Sequence, residues 1–309
     1  MQALYAFFQS EDDRVEQHNE KLLKNIYAIY DLYIYQLSFL IEIIEFARET
    51  IEISKNKFFP TEEEANPNTR FIDNLVISYI ENNSDYKKKF SNLHINWSEQ
   101  KDLVRRLFLQ IKESENYKKY MTSEKSGAEE DVKVLEDIMD DYIAVNEELQ
   151  QYYEDLNIYW ADDYDVACYM VIKTLKYISL PGNKDKSLPK LFGNRTVDDE
   201  KEEVDFIRDL FCKTILHSNE FDDMIEAKTD NWEIDRIAMM DMLLLKMALC
   251  EFTCFPTIPT KVTINEYIEI SKFYSTPKSK IFINGILDKL LFDLLEKKKI
   301  NKTGRGLIG

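Results

Sequence analysis

None of the seven glycines in this 309-residue chain comes before Gly127, and prolines also number only seven. Stretches without glycine or proline have few places to turn sharply, and the polar residues set among the apolar ones are mostly Glu, Lys, Asp and Asn. Such a chain favours helices from end to end. With 44% hydrophobic residues it can fill one large core or two ordinary ones, so the expected fold class is all-α, a helical bundle.

Periodicity places the first long element. Leu22, Ile26, Ile29, Tyr33, Leu37, Leu40 and Ile44 recur at spacings of three and four, the mark of one long amphipathic helix. Its apolar part, residues 26–44, is interrupted by Asp31, Gln36 and Glu42, short of the roughly 18 to 20 uninterrupted apolar residues that a bilayer requires. The first residues lack the basic start and small-residue cleavage site of a secretory signal, so a cytoplasmic location with no membrane partner is expected. Cys168, Cys212, Cys250 and Cys254 sit among apolar neighbours and read as reduced core thiols.

Three breaks divide the chain. Residues 59–68 are rich in turn formers, and Thr61 followed by Glu62, Glu63 and Glu64 reads as a helix start. A second break surrounds Gly127. The third, residues 181–199, holds Pro181, Gly182, Pro189 and Gly193 and is the best domain boundary. The expected organisation is therefore a first helix and an acidic helical insert over 1–200, a helical core over 201–296, and a basic, mobile tail over 297–309.

The halves echo one another. Asp102-Leu103-Val104-Arg105-Arg106-Leu107-Phe108 parallels Asp205-Phe206-Ile207-Arg208-Asp209-Leu210-Phe211, and Ser114, Tyr117, Tyr120 and Met121 parallel Ser218, Phe221, Met224 and Ile225. Trp160-Ala161-Asp162-Asp163 likewise resembles Trp232-Glu233-Ile234-Asp235. Duplication and the chance likeness of two amphipathic helices both account for this pattern.

A net charge of −17 excludes a protein that coats nucleic acid indiscriminately. The charge is uneven, however. From Pro256 to the end, ten Lys and Arg face five acids, a net of +5, which leaves −22 on the rest. A local basic face on an acidic body suits a protein that touches nucleic acid at one place and proteins elsewhere.

Signs of catalysis are missing. None of His18, His94 and His217 has a glutamate three residues before it, as a di-iron bundle would need. Cys250 and Cys254 make at most half a zinc site, and Asp162, Asp163 and Asp165 look like the acidic first turn of a helix. With no glycine-rich phosphate loop and no Ser-His-Asp set, no enzyme activity, metal or cofactor is expected.

The most informative stretch is 230–290. A helix over 237–252 is so apolar that it belongs in the middle of a bundle, and Pro256 and Pro259 stop it. Gly285, inside an otherwise periodic helix, costs about 1 kcal/mol relative to alanine and predicts a closely packed neighbour. Asn265 and Asn284, in apolar contexts, are expected to need buried partners.

Within this stretch Lys246, Ala248-Leu249-Cys250-Glu251, the run from Ile258-Pro259 through Lys261-Val262 to Ile264-Asn265-Glu266, and Phe282-Ile283-Asn284-Gly285-Ile286-Leu287-Asp288-Lys289 stand in order. They resemble the C-terminal pattern of the NusB transcription antitermination family, and Gln2-Ala3-Leu4-Tyr5 resembles the first-helix motif of the same family. The likeness covers the first ten residues and roughly 204–292. It implies a NusB-like helical core interrupted by a long helical insert. It further implies an adaptor that binds boxA single-stranded RNA together with the ribosomal protein NusE, joins other Nus factors on RNA polymerase, and does not contact DNA directly. On this resemblance Gln2, Tyr5, Lys278, Lys280 and Phe282 lie near the RNA, and Tyr5, Asp235 and Asp241 face the basic protein partner. Aromatics that stack on bases and cations that meet phosphate are what single-stranded RNA requires. Family members carry an arginine-rich segment ahead of the first motif, whereas Met1 directly precedes it here, which implies either a shortened reading frame or weaker RNA binding. The alternative is a helical protein-interaction scaffold that has lost RNA binding.

Overall fold

The computed structural model describes residues 1–10, 13–192, 197–229, 237–276 and 278–307, with the backbone alone at 197 and 198. Among the described residues the regular structure is entirely helical: α1 (Gln2–Gln9), α2 (Val15–Lys55), α3 (Glu62–Ala65), α4 (Leu75–Asn82), α5 (Ser84–Asn92), α6 (Lys101–Glu113), α7 (Glu115–Thr122), α8 (Ala128–Ile138), α9 (Glu147–Leu156), α10 (Tyr164–Ser179), α11 (Val197–Leu216), α12 (Ser218–Glu226), α13 (Met239–Cys254), α14 (Thr260–Tyr274) and α15 (Ser279–Glu296). The all-α expectation holds.

The chain divides into two compact units. One is discontinuous in sequence and joins Met1–Lys24 to Arg195–Gly309; the other is Asn25–Asn194. The C-terminal boundary falls inside the glycine- and proline-bearing break at 181–199. The N-terminal helix, however, shares a unit with the C-terminal helices instead of with the insert, because Leu4 is 1% exposed in the same apolar cluster as Leu244, Leu249 and Leu287.

The inserted unit, 25–194, is organised around the apolar part of α2, where Leu32, Tyr33, Ile34, Leu37, Phe39 and Leu40 are fully buried. By length and composition alone α2 could cross a bilayer, but 56% of its apolar window is buried within the protein, as befits a core helix. Aromatic rings pack edge to face around it, Trp97 against Phe39 and Tyr35 among them. Local chemistry sets the element boundaries. Thr61 and Glu64 form the expected reciprocal cap of α3, Asn74 caps α4, and Ser114 caps α7. Asp131, buried, accepts from the Tyr120 hydroxyl at 2.7 Å and the Leu75 amide at 2.8 Å, which ties α7 and α4 to α8. Asp163 and Asp165 do lie at the start of α10; burial, and then the neighbouring Asp162, push the Asp163 carboxyl up to about 6.

In the discontinuous unit α13 is the central post. It packs against α1, α11, α12, α14 and α15, and every residue over 243–252 is buried, as its largely apolar run predicts. Two ionisable side chains inside that run have partners. Lys246 donates to Ser218 Oγ and Asp222 Oδ2, both at 2.8 Å, and its ammonium lies 5.1 Å from the Phe8 ring, so it links α13 to α12 and α1. Glu251 accepts from Thr263 at 2.9 Å and from Tyr267 at 2.7 Å on α14; burial holds its carboxyl above the usual range. The echoed pairs α6–α7 and α11–α12 are both helix–break–helix, but Ser114 caps its helix whereas Ser218 bonds Lys246.

The tail is docked where mobility was expected. Lys302 Nζ donates to the carbonyls of Glu251 at 3.0 Å and Phe255 at 2.8 Å, and the Thr303 amide donates to Pro256 O at 2.9 Å. These oxygens sit in the last turn of α13 and just beyond it; Glu251 O also accepts from the Phe255 amide and Phe255 O from the Ile258 amide, both at 3.3 Å, and a carbonyl has room for a second donor. Gly306 is buried so tightly there that a Cβ would stand 2.0 Å from Pro256 O.

Candidate nucleic-acid interface

The residues assigned to RNA reside on two segments that meet the first turn of α13. Between α14 and α15 the chain leaves helix at Ser275 in an extended conformation and re-enters it at Ser279. This short turn carries Thr276, Lys278 and Lys280 on its outside, all exposed, while Ser279 is buried. Among the described residues neither Lys278 nor Lys280 has an ion-pair partner. Phe282, one turn into α15, is half-buried and packs on the core cluster, and Ile283 beside it is completely buried. The turn therefore presents two uncommitted ammonium groups next to an aromatic ring fixed from below.

What fixes the turn is a set of hydroxyls around a buried acid. Ser275 Oγ donates to Asp241 Oδ1 on α13; Ser275 and Ser279 hydroxyls are 2.8 Å apart, and those of Thr276 and Ser279 are 3.0 Å apart. Asp241 is 5% exposed and belongs to the first turn of α13, where a carboxylate is favoured by the helix dipole. Asp241, expected to face a basic partner, thus has its Oδ1 engaged by the Ser275 hydroxyl within the protein. Sequence reading missed Ser275, Thr276 and Ser279. Three hydroxyls within five residues, directly after a helix, were the available signal.

The second segment is α1. Leu4 anchors it in the core, Tyr5 is 41% exposed and Gln2 is exposed. Gln9, in line with Gln2 and Tyr5 at helical spacing, donates its side-chain amide to Met239 Sδ at 2.8 Å. The end of α1 is thus fastened to the same turn of α13 that holds Ser275 through Asp241. Asp235 lies outside the described residues.

Other expectations change with the geometry. Gly285 is exposed, and among the described residues a Cβ there would meet nothing within 4 Å, so none of the described helices accounts for it. Asn265 is exposed, and Asn284, half-buried, donates to Asp288 at 3.4 Å along its own helix. The single basic face inferred from charge counting separates into two regions. Asp241, beneath the Lys278–Lys280 turn, and Glu251, beneath the tail, are ten residues apart on α13, about 15 Å along its axis. The tail cations are moreover largely committed: Lys297 pairs with Asp293 at 2.7 Å, Lys299 with Glu220 at 3.4 Å, and Lys302 closes the end of α13.

The fold and site describe an all-helical bundle that displays one anchored cationic turn beside an aromatic. The NusB family model matches residues 168–292, which include that turn and all of α13 to its contact with α15. A transcription antitermination protein NusB of Salinibacter ruber is 48% identical over 113 residues, covering 37% of this chain and 71% of that protein. A second, of Chloroherpeton thalassium, is 41% identical over 104 residues, 34% of this chain and 49% of that one. A third, of Natranaerobius thermophilus, is 38% identical over 95 residues, 29% of this chain and 68% of its relative. No solved structure matches the chain. The chain belongs to the NusB family.

Proposed function

We propose that this protein is a transcription antitermination factor that binds boxA-type single-stranded RNA together with NusE, and that the pair joins other Nus factors on RNA polymerase. The observation that carries the reading is the anchored turn: Lys278 and Lys280, exposed and without ion pairs among the described residues, stand beside Phe282. Cations that no acid neutralises are available to phosphate, and an aromatic or aliphatic platform next to them accepts unstacked bases. Gln2 and Tyr5 on α1 extend the RNA surface. NusE engages the flank formed by Tyr5 and by Asp235, whose assignment rests on sequence.

Electrophoretic shifts with boxA RNA at moderate salt, with and without NusE, test the reading. The complex forms and tightens with NusE. Replacing both lysines, Lys278→Ala and Lys280→Ala, weakens RNA binding about tenfold and lowers the salt slope by roughly 0.7 for each lost phosphate contact. RNA that fails to shift with or without NusE overturns the RNA reading, and NusE binding alone would leave the scaffold reading in its place.

A further inference from the structure

We infer that Asp241 is the positioning residue of the RNA surface: its buried carboxylate locks the Ser275–Ser279 turn, and thereby sets where Lys278 and Lys280 meet phosphate. The inference rests on the RNA reading of that turn, and gives the family acid at this position a role other than touching a partner.

Four observations support it. The carboxylate is 5% exposed, and its Oδ1 accepts the Ser275 hydroxyl. Ser275 adjoins Ser279 at 2.8 Å and Ser279 adjoins Thr276 at 3.0 Å, so one acid reaches both ends of the turn through a chain of hydroxyls. A hydroxyl bonded to a carboxylate makes a stronger and better directed contact than one bonded to a neutral acceptor. Finally, the acid stands on a rigid support, the central helix of its unit, where every residue over 243–252 is buried. The flexible stem of a lysine contributes little to position by itself, so the accuracy of the two ammonium groups depends on the backbone that carries them.

The lock predicts a sign that charge alone does not. Removing an acid near an RNA surface should tighten binding if long-range electrostatics governed it. We expect the opposite. Asp241→Ala weakens boxA binding about fivefold and flattens the salt dependence toward that of Lys278→Ala, although no cation has been removed. Ser275→Ala, a milder change at the other end of the bond, does the same. The double variant is no weaker than the worse single one, because both break one interaction. Asp241→Asn, which keeps an acceptor for Ser275, recovers most of the affinity. Tighter or unchanged RNA binding in Asp241→Ala, or simple multiplication of the two single effects, overturns the inference. So does a loss confined to NusE binding and equal in Asp241→Asn, since that outcome makes Asp241 a direct contact for a basic protein. Amide hydrogen exchange over residues 275–282 tests the lock without RNA: it accelerates in Asp241→Ala and Ser275→Ala while α13 stays protected. Unchanged exchange would sink the lock even if the wild-type protein binds RNA, and absence of wild-type RNA binding would sink the functional reading while leaving the exchange result to judge the lock.

Discussion

At the first turn of α13 a buried acid, Asp241, holds a segment whose lysines stay uncommitted; near its last turn a second buried acid, Glu251, lies beneath a segment whose lysines are mostly spent. Both segments count equally in a charge inventory. They differ in what surrounds them. Lys297 and Lys299 have acids within reach on α15 and α12, and Lys302 donates to two carbonyls at the end of α13, whereas Lys278 and Lys280, without ion pairs among the described residues, project from a turn whose anchoring carboxylate, Asp241, already accepts a hydroxyl. Charge available to a ligand is therefore a property of packing and not of composition.

Three experiments test that contrast. The largest effect falls on the tail. Gly306→Val forces a side chain onto Pro256 O, so the tail must move or the end of α13 must shift. Urea denaturation should show a loss of about 3 kcal/mol, with boxA affinity within twofold of wild type. A loss of RNA binding in step with stability would mean that the two ends of α13 are not separate. An intermediate effect concerns pH. The Glu251 carboxyl ionises at higher pH in the fold than in the unfolded chain, because burial disfavours the charge. Over the window between those two values the folded form holds a proton that the unfolded form lacks, so stability declines as pH rises through it and is greatest below it. Glu251→Gln should flatten that decline in melting curves recorded from acid to neutral pH; a decline of the same steepness would assign it elsewhere. The smallest effect is expected from Lys297→Ala with Lys299→Ala, since exposed pairs contribute little. Melting temperature and boxA affinity should both stay at the wild-type value, and a clear drop in affinity would restore the tail to the RNA surface.

Local signals carried most of the helices. Three-and-four spacing marks α2, a largely apolar run marks α13 as central, and Thr61 with Glu64 announces a cap that is present on both sides. What escaped depends on contacts distant in sequence. Leu4 gives no local sign that its buried cluster partners lie beyond residue 210. Gly306 looks like a residue of a loose end until Pro256 is set against it, and Asp241 looks like a solvated acid until Ser275 returns to it from the far side of α14. Gly285 shows the converse error. A glycine within a helix suggests a close neighbour, yet none of the described residues comes within 4 Å of where its Cβ would stand.

The unit that carries the proposed RNA surface joins Met1–Lys24 to Arg195–Gly309. During synthesis α1 emerges well before the helices it packs against, α11 and the central α13, the latter translated only after residue 238. At ordinary elongation rates of about 5 to 20 residues per second, α1 waits on the order of ten to fifty seconds for its berth. Its apolar face, Leu4 with Phe7 and Phe8, stays without a home for that interval, whereas residues 25–194 can complete their own core while the wait lasts. Nascent chains of this protein should accordingly depend on chaperones early and mature late.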